Sequence, residues 1–392
     1  MKLRKYIAGI MGVTYGAIGF SSLSYYLAVN VVGLPFYLWE HVVVAAIYMV
    51  YVHGNKQSLS RSELISLISL ISIWLLFVVI TNVDQFFYVL SAARPWFIIG
   101  IFALLSKRVS QLPDSIIFQV ICGAVIGEFL SYFIQMNSPG WDGKIYFSYM
   151  VICYFIILSF RMKRLWVLIS CITAMAYVVL SGFRILLLVA MLVYVQMIIF
   201  RKYRSGVVLS YRTNMLLVGV ISFSLVMLYY LSNQGYIDQY LFFRIFQRTL
   251  GFLAFDFGAS QDGDKIYMLS HLFSLKDPNI IPAGFNMVRD GNVGLYMDNP
   301  LLHILNVFGY PLGAVVVCII LITSFAYYVK YRDCVSLRGL NQVSLVFVSI
   351  FPFLLMLNGR FLYITYDAAL FGLILGRWIN VYTIKSQRHI VE

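Results

Sequence analysis

Charge is what this sequence lacks most. Only 11% of its 392 residues are Asp, Glu, Lys or Arg, against about 25% in soluble domains, and that shortfall excludes a water-soluble enzyme. Acidic residues are the scarcer sign, 16 against 29 basic ones. Cysteines number five, all in or beside apolar runs and none in a Cys-x-x-Cys pair, so neither a disulfide framework nor a zinc site is indicated. No small-residue cleavage site interrupts the apolar run that follows Met-Lys-Leu-Arg-Lys and continues to Val29; it reads as a retained first helix and not as a removed signal. No internal repeat marks the two halves of a duplicated transporter.

What is present is apolar. Hydrophobic residues make up 61% of the chain, and its mean hydropathy is +0.85, values that exclude disorder and collagen-like repeats. At roughly 20 apolar residues per crossing, the length allows about a dozen membrane helices and one sizeable loop. The runs predict helices at 6–29, 34–52, 64–82, 86–106, 114–135, 146–160, 165–181, 184–200, 213–231, 301–329, 340–358 and 361–381. The expected fold class is therefore an all-α polytopic membrane protein forming one integral domain over 1–392.

The net charge of +13 is informative only by side of the membrane. Twelve crossings put both termini on one face. With that face cytoplasmic, the inner segments hold 20 of the 29 basic residues, and every short inner loop is basic, as the positive-inside rule requires. The charge thus reports orientation, and no nucleic-acid partner is implied.

One long hydrophilic stretch, 232–300, faces outward in this topology. With seven acidic and five basic residues it is nearly neutral. Within it, Ile237, Tyr240, Leu241, Ile245 and Leu250 recur at near-helical spacing, with Arg244 and Arg248 one turn apart. This predicts an amphipathic helix over 236–250 lying on the outer leaflet.

Charges within the bilayer are costly and mark function by default. Glu40, Arg94, Glu128 and Asp367 all fall toward the outer ends of their helices, and Arg184 and Arg360 fall at tight outer turns, Ser-Gly-Phe-Arg and Asn-Gly-Arg. The bland account is mutual pairing that holds the helices together. The functional account is an enzyme acting at the outer surface on a membrane-anchored anion, because an arginine at a glycine turn is well placed for anionic oxygens. A transporter would carry its polar groups at mid-depth.

Two stretches resemble a known group. Leu-Ser-Gly-Phe-Arg184 is similar to the Ser-Gly-Ser-Arg turn of the O-antigen polymerase and ligase superfamily. Asp298-Asn299-Pro-Leu-Leu-His303, followed by Gly309 and Gly313, resembles the end of that superfamily's large outer loop. The motifs agree in order and spacing over about 165–320, and Asp298, where ligases typically carry His, makes the chain look more like a Wzy-type polymerase. The resemblance implies a GT-C-like glycosyltransferase of the bacterial inner membrane, with 232–300 as its periplasmic loop, serving lipopolysaccharide biosynthesis. It would transfer a growing glycan from undecaprenyl pyrophosphate to the next lipid-linked repeat.

Such a reaction needs positive donors where pyrophosphate charge develops. Arg184, Arg248 and Arg289 are the first choices, with Arg244 and Arg360 behind them. Arg94, Glu128, Asp367, Asn299 and Tyr240 complete the expected substrate-binding set. A base for the sugar hydroxyl is Asp298 or His303; the alternatives are a helix N-cap for Asp298 and a packed helix residue for His303. No cofactor or metal is called for: Asp262-Gly-Asp264, the nearest candidate, reads as a loop turn. Expected partners are undecaprenyl-pyrophosphate-linked glycans and membrane lipids, with a chain-length regulator and a flippase as further ones. The competing functions are an O-antigen ligase, differing in acceptor, and a lipid-linked oligosaccharide flippase or other transporter.

Overall fold

Long apolar runs with isolated polar residues fold as helices, because a helix satisfies its backbone hydrogen bonds within one segment. The computed structural model describes residues 2–18, 33, 65, 68–69, 71–72, 86–136, 147–181, 184–204, 300–332, 337, 339–357 and 365–382. Among these there is no strand. The helices are α1 (Lys2–Ile18), α2 (Phe86–Val109), α3 (Asp114–Met136), α4 (Tyr149–Ser159), α5 (Arg164–Ser181), α6 (Arg184–Arg204), α7 (Pro300–Phe308), α8 (Tyr310–Tyr331), α9 (Gly339–Leu357) and α10 (Thr365–Ile379), the last extended by a 3-10 turn at Asn380–Tyr382. The expected helices at 34–52 and 213–231 and the amphipathic segment 236–250 lie outside the described residues. Two helical stretches, Asp114–Ile134 and Tyr310–Tyr331, are long and apolar enough to cross a membrane.

Hydroxyl side chains in these helices bond to the backbone of their own turn. Thr14 donates to the Ile10 carbonyl at 3.0 Å, Thr323 to Ile319 at 2.8 Å, and Ser344 to Leu340 at 2.8 Å. Back-bonding of this kind removes the cost of a hydroxyl on an apolar surface. α8 shows why that is needed. One face, with Gly313, Val317, Ile320, Ser324 and Tyr327, is buried, while Val315, Ile319, Ile322 and Phe325 are exposed, the last at 65%. Its outward face is as apolar as its inward one.

The expected single helix at 301–329 is in fact two. Gly309 adopts φ 76° and ψ 155°, a conformation that side chains with a Cβ disfavour, and Pro311 lies in the first turn of the next helix. The chain folds back so that a Cβ on Gly313 would lie 2.7 Å from the Leu305 Cα. α7, at nine residues, is thus about 13 Å long and far too short to cross a bilayer.

The chain forms two compact units, one comprising Met1–Ser138 with Pro278–Glu392, the other Pro139–Asp277. In the first, α1 packs along α3 and α2 along α10. Both seams are built on glycine. Gly12 and Gly16 of α1 lie against the backbone of Val120 and Ala124, and Gly123 and Gly127 of α3 against the carbonyls of Gly9 and Val13. Gly372 and Gly376 of α10 meet the carbonyls of Ile99 and Ala103 in the same way. A Cβ at these positions would collide with main chain, so Gly-x-x-x-Gly allows contact that bulkier residues forbid. Contacts advance by four residues on both partners, so each pair runs parallel.

At one end of this unit the helices are tied by side-chain hydrogen bonds. Arg377 Nε donates to Asn341 Oδ1 at 2.8 Å, the Tyr327 hydroxyl to the Asn341 carbonyl at 3.2 Å, and the Trp378 indole to the Ser344 carbonyl at 3.0 Å. Lys330 donates to the Val381 carbonyl. Arg377 is only 3% exposed, so it is an internal tie and does not reach out to the membrane surface as its place near a helix end suggests.

The second unit is joined differently. α4 is buried along its whole length and is capped by Ser148, whose Oγ accepts from the Val151 N–H at 3.0 Å. Ser159, Ser170 and Tyr194 link α4, α5 and α6 through hydroxyl contacts of 3.0 and 2.9 Å. Phe147 stacks on Tyr177 with ring centroids 4.2 Å apart.

Candidate functional site

Two of the sequence-selected ionisable residues in the first unit stand at one height. Asp367 precedes Gly372 by five residues, and Arg94 precedes Ile99 by five. Since Gly372 lies against Ile99 in a parallel pair, Asp367 and Arg94 are level. At 1.5 Å per residue, Arg94 stands about 22 Å above the end of α2 at Val109. The turn between α2 and α3 is short, with Gln111 and Leu112 N–H groups bonded to the Arg108 and Val109 carbonyls. Glu128 stands about 21 Å above the start of α3 at Asp114. Arg94 and Asp367 thus share one level, about 22 Å from the end of the pair that carries Lys107, Arg108 and Arg377.

Glu128 and Asp367 are buried, Arg94 half-buried. Each takes part in an interaction within the protein, as burial of a charge demands. Arg94 is followed by Pro95, which withdraws one N–H from the ladder of α2, and then by Trp96. The Trp96 indole N–H donates to His303 Nε2 at 3.5 Å, with the two rings 13° from coplanar and their centroids 6.2 Å apart. Phe308, at the other end of α7, meets the same indole edge-on at 5.1 Å. His303 is buried. α7 opens at Pro300, as the proline in that position leads one to expect.

Arg184 opens α6 in the second unit. Asp298, Asn299, Arg289, Arg248, Arg244, Arg360 and Tyr240 lie outside the described residues. Among the described residues, no three His, Cys, Asp or Glu side chains are grouped to hold a metal.

Trp96 is the residue that sequence reasoning passed over. Arg-Pro-Trp in the first half of α2 was a local signal, but nothing in the sequence pairs it with a histidine 207 positions away. No protein-family model, curated protein or solved structure matches this chain.

Proposed function

We propose that the chain is a multi-pass glycosyltransferase of the bacterial inner membrane, with both termini cytoplasmic, that polymerises lipid-linked oligosaccharide repeat units. The observation that carries this reading is the common level of Arg94 and Asp367 on a parallel helix pair, far from the end that carries Lys107, Arg108 and Arg377, with buried Glu128 a similar distance along α3. A one-sided layer of ionisable groups suits chemistry on a substrate anchored in the outer leaflet. The twelve-crossing plan gains support from the parallel helix pairs. In that plan α1 and α3 are the first and fifth crossings and α2 and α10 the fourth and twelfth, so each pair shares a direction. The outward apolar face of α8 is what a hydrocarbon environment asks of a spanning helix.

In the reaction, the acceptor sugar hydroxyl attacks the anomeric carbon of the growing glycan. The carbon–oxygen bond to undecaprenyl pyrophosphate breaks, and the base takes the hydroxyl proton. The leaving pyrophosphate gathers charge, and Arg184, Arg289 and Arg248 supply donors for it.

The test is deletion of the gene and electrophoresis of the surface glycan. One repeat unit per lipid core is the expected result. Long lipid-linked chains with none on the core mean ligation instead, and unaltered glycan means neither. Arg184→Ala should reproduce the deletion at normal protein level, and Arg184→Lys should remain strongly impaired, since an ammonium does not replace the planar fork.

A further inference from the structure

The proposed reaction needs one group to accept the sugar proton, and Asp298 and His303 are its two candidates. The geometry points to a division of roles, and it rests on that reading: Trp96 is a positioning residue that holds His303 as a neutral hydrogen-bond donor, which leaves the base to Asp298.

A neutral imidazole has one nitrogen that donates and one that accepts. The accepting lone pair lies in the ring plane, and so does the indole N–H. Rings only 13° from coplanar, with Nε1 and Nε2 at 3.5 Å, direct that N–H along the Nε2 lone pair. Nε2 is therefore the acceptor, and the ring proton sits on Nδ1. An indole N–H has no accepting ability, so the opposite tautomer and the imidazolium would both set N–H against N–H. Phe308 meets the indole edge-on at 5.1 Å and fixes it from the far end of the same helix. With Nε2 occupied, the ring retains no free lone pair with which to take a proton. Nδ1–H is what it can offer, a donor for a phosphate or sugar oxygen.

Two experiments test this. The full chain, solubilised in detergent with ring-15N histidine, gives separate signals for protonated and unprotonated ring nitrogens, and the His303→Asn spectrum identifies those of His303 among five histidines. At neutral pH the expected form is Nδ1–H with a bare Nε2, and Trp96→Phe should convert it to a tautomer mixture. An Nε2–H or imidazolium signal in the unaltered protein, or a spectrum unchanged by Trp96→Phe, overturns the pairing whatever the protein catalyses. The second experiment measures polymer formation. His303→Asn keeps an amide N–H near the Nδ1 position and should retain activity within about tenfold, roughly the worth of one hydrogen bond, while Asp298→Asn should be inactive. Trp96→Phe should cost about tenfold, but should add nothing in the His303→Asn background, where no tautomer remains to be chosen. An inactive His303→Asn beside an active Asp298→Asn would make His303 the base and overturn the inference. Unaltered glycan in the deletion strain would instead remove the reaction and leave the pairing standing.

Discussion

The two units join their helices by opposite means. In the first, α1 meets α3 and α2 meets α10 backbone to backbone across paired glycines. In the second, Ser159, Ser170 and Tyr194 reach across three helices with hydroxyls. Lipid supplies no hydrophobic drive between helices, so close packing and polar bonds must hold them. A glycine seam fixes height, because each missing Cβ is a notch that receives one carbonyl. A hydroxyl seam fixes rotation, because the bonds turn particular faces inward. The levelled Arg94 and Asp367 belong to the unit whose seams fix height.

The largest effect should come from filling a notch. Gly376→Leu places a side chain where the Ala103 carbonyl already sits, and over-packing of this severity costs about 3 kcal/mol or more. Loss of monodisperse protein in detergent is the expected outcome. Wild-type thermal unfolding would show that the glycine contact does not hold α10 to α2. Next comes the premise shared by both seams, the absence of water. Ile319 lies near the middle of the outward face of α8, where Ile319→Lys should cost about 3 kcal/mol of insertion. A glycosylation-reporter insertion assay measures it, and free insertion of the lysine variant would mean that this face meets water.

Arg377→Met should cost about 2 kcal/mol, the range for a hydrogen bond to a charged group. Chemical denaturation reads this, and no loss would make the tie at Asn341 dispensable. The smallest effect belongs to the hydroxyl seam. Ser170→Ala should cost about 1 kcal/mol, near the values found for hydrogen bonds between membrane helices. Combined with Tyr194→Phe it should cost less than the separate losses together, since the two changes remove one shared bond. Full additivity would dissolve the three-helix link.

The helices themselves were legible, because an apolar run of spanning length has few other folds open to it. The starts and ends of α2, α3, α5, α6 and α9 agree with the apolar runs to within a few residues. The break at Gly309 was present as Gly-Tyr-Pro but was outweighed by the unbroken hydrophobicity around it. Gly12, Gly16, Gly123, Gly127, Gly372 and Gly376 were visible as spacings, yet a spacing does not name its partner helix. The same limit hid Trp96, whose contact depends on how α7 folds back. The places of Arg94, Glu128 and Asp367 along their helices followed from counting; the burial of Glu128 and Asp367 did not.

The pairing of α2 with α10 has a consequence for synthesis. Ile99 and Gly372 are partners, and about 270 residues must be translated between them, which at 5–20 residues per second takes roughly 14–55 s. For that interval the face of α2 that will receive α10 lacks its partner helix, and Trp96 on the same helix waits 207 residues for His303. A ribosome stalled after α9 would therefore release a chain in which α2 lacks the glycine notches of α10, a natural substrate for quality control.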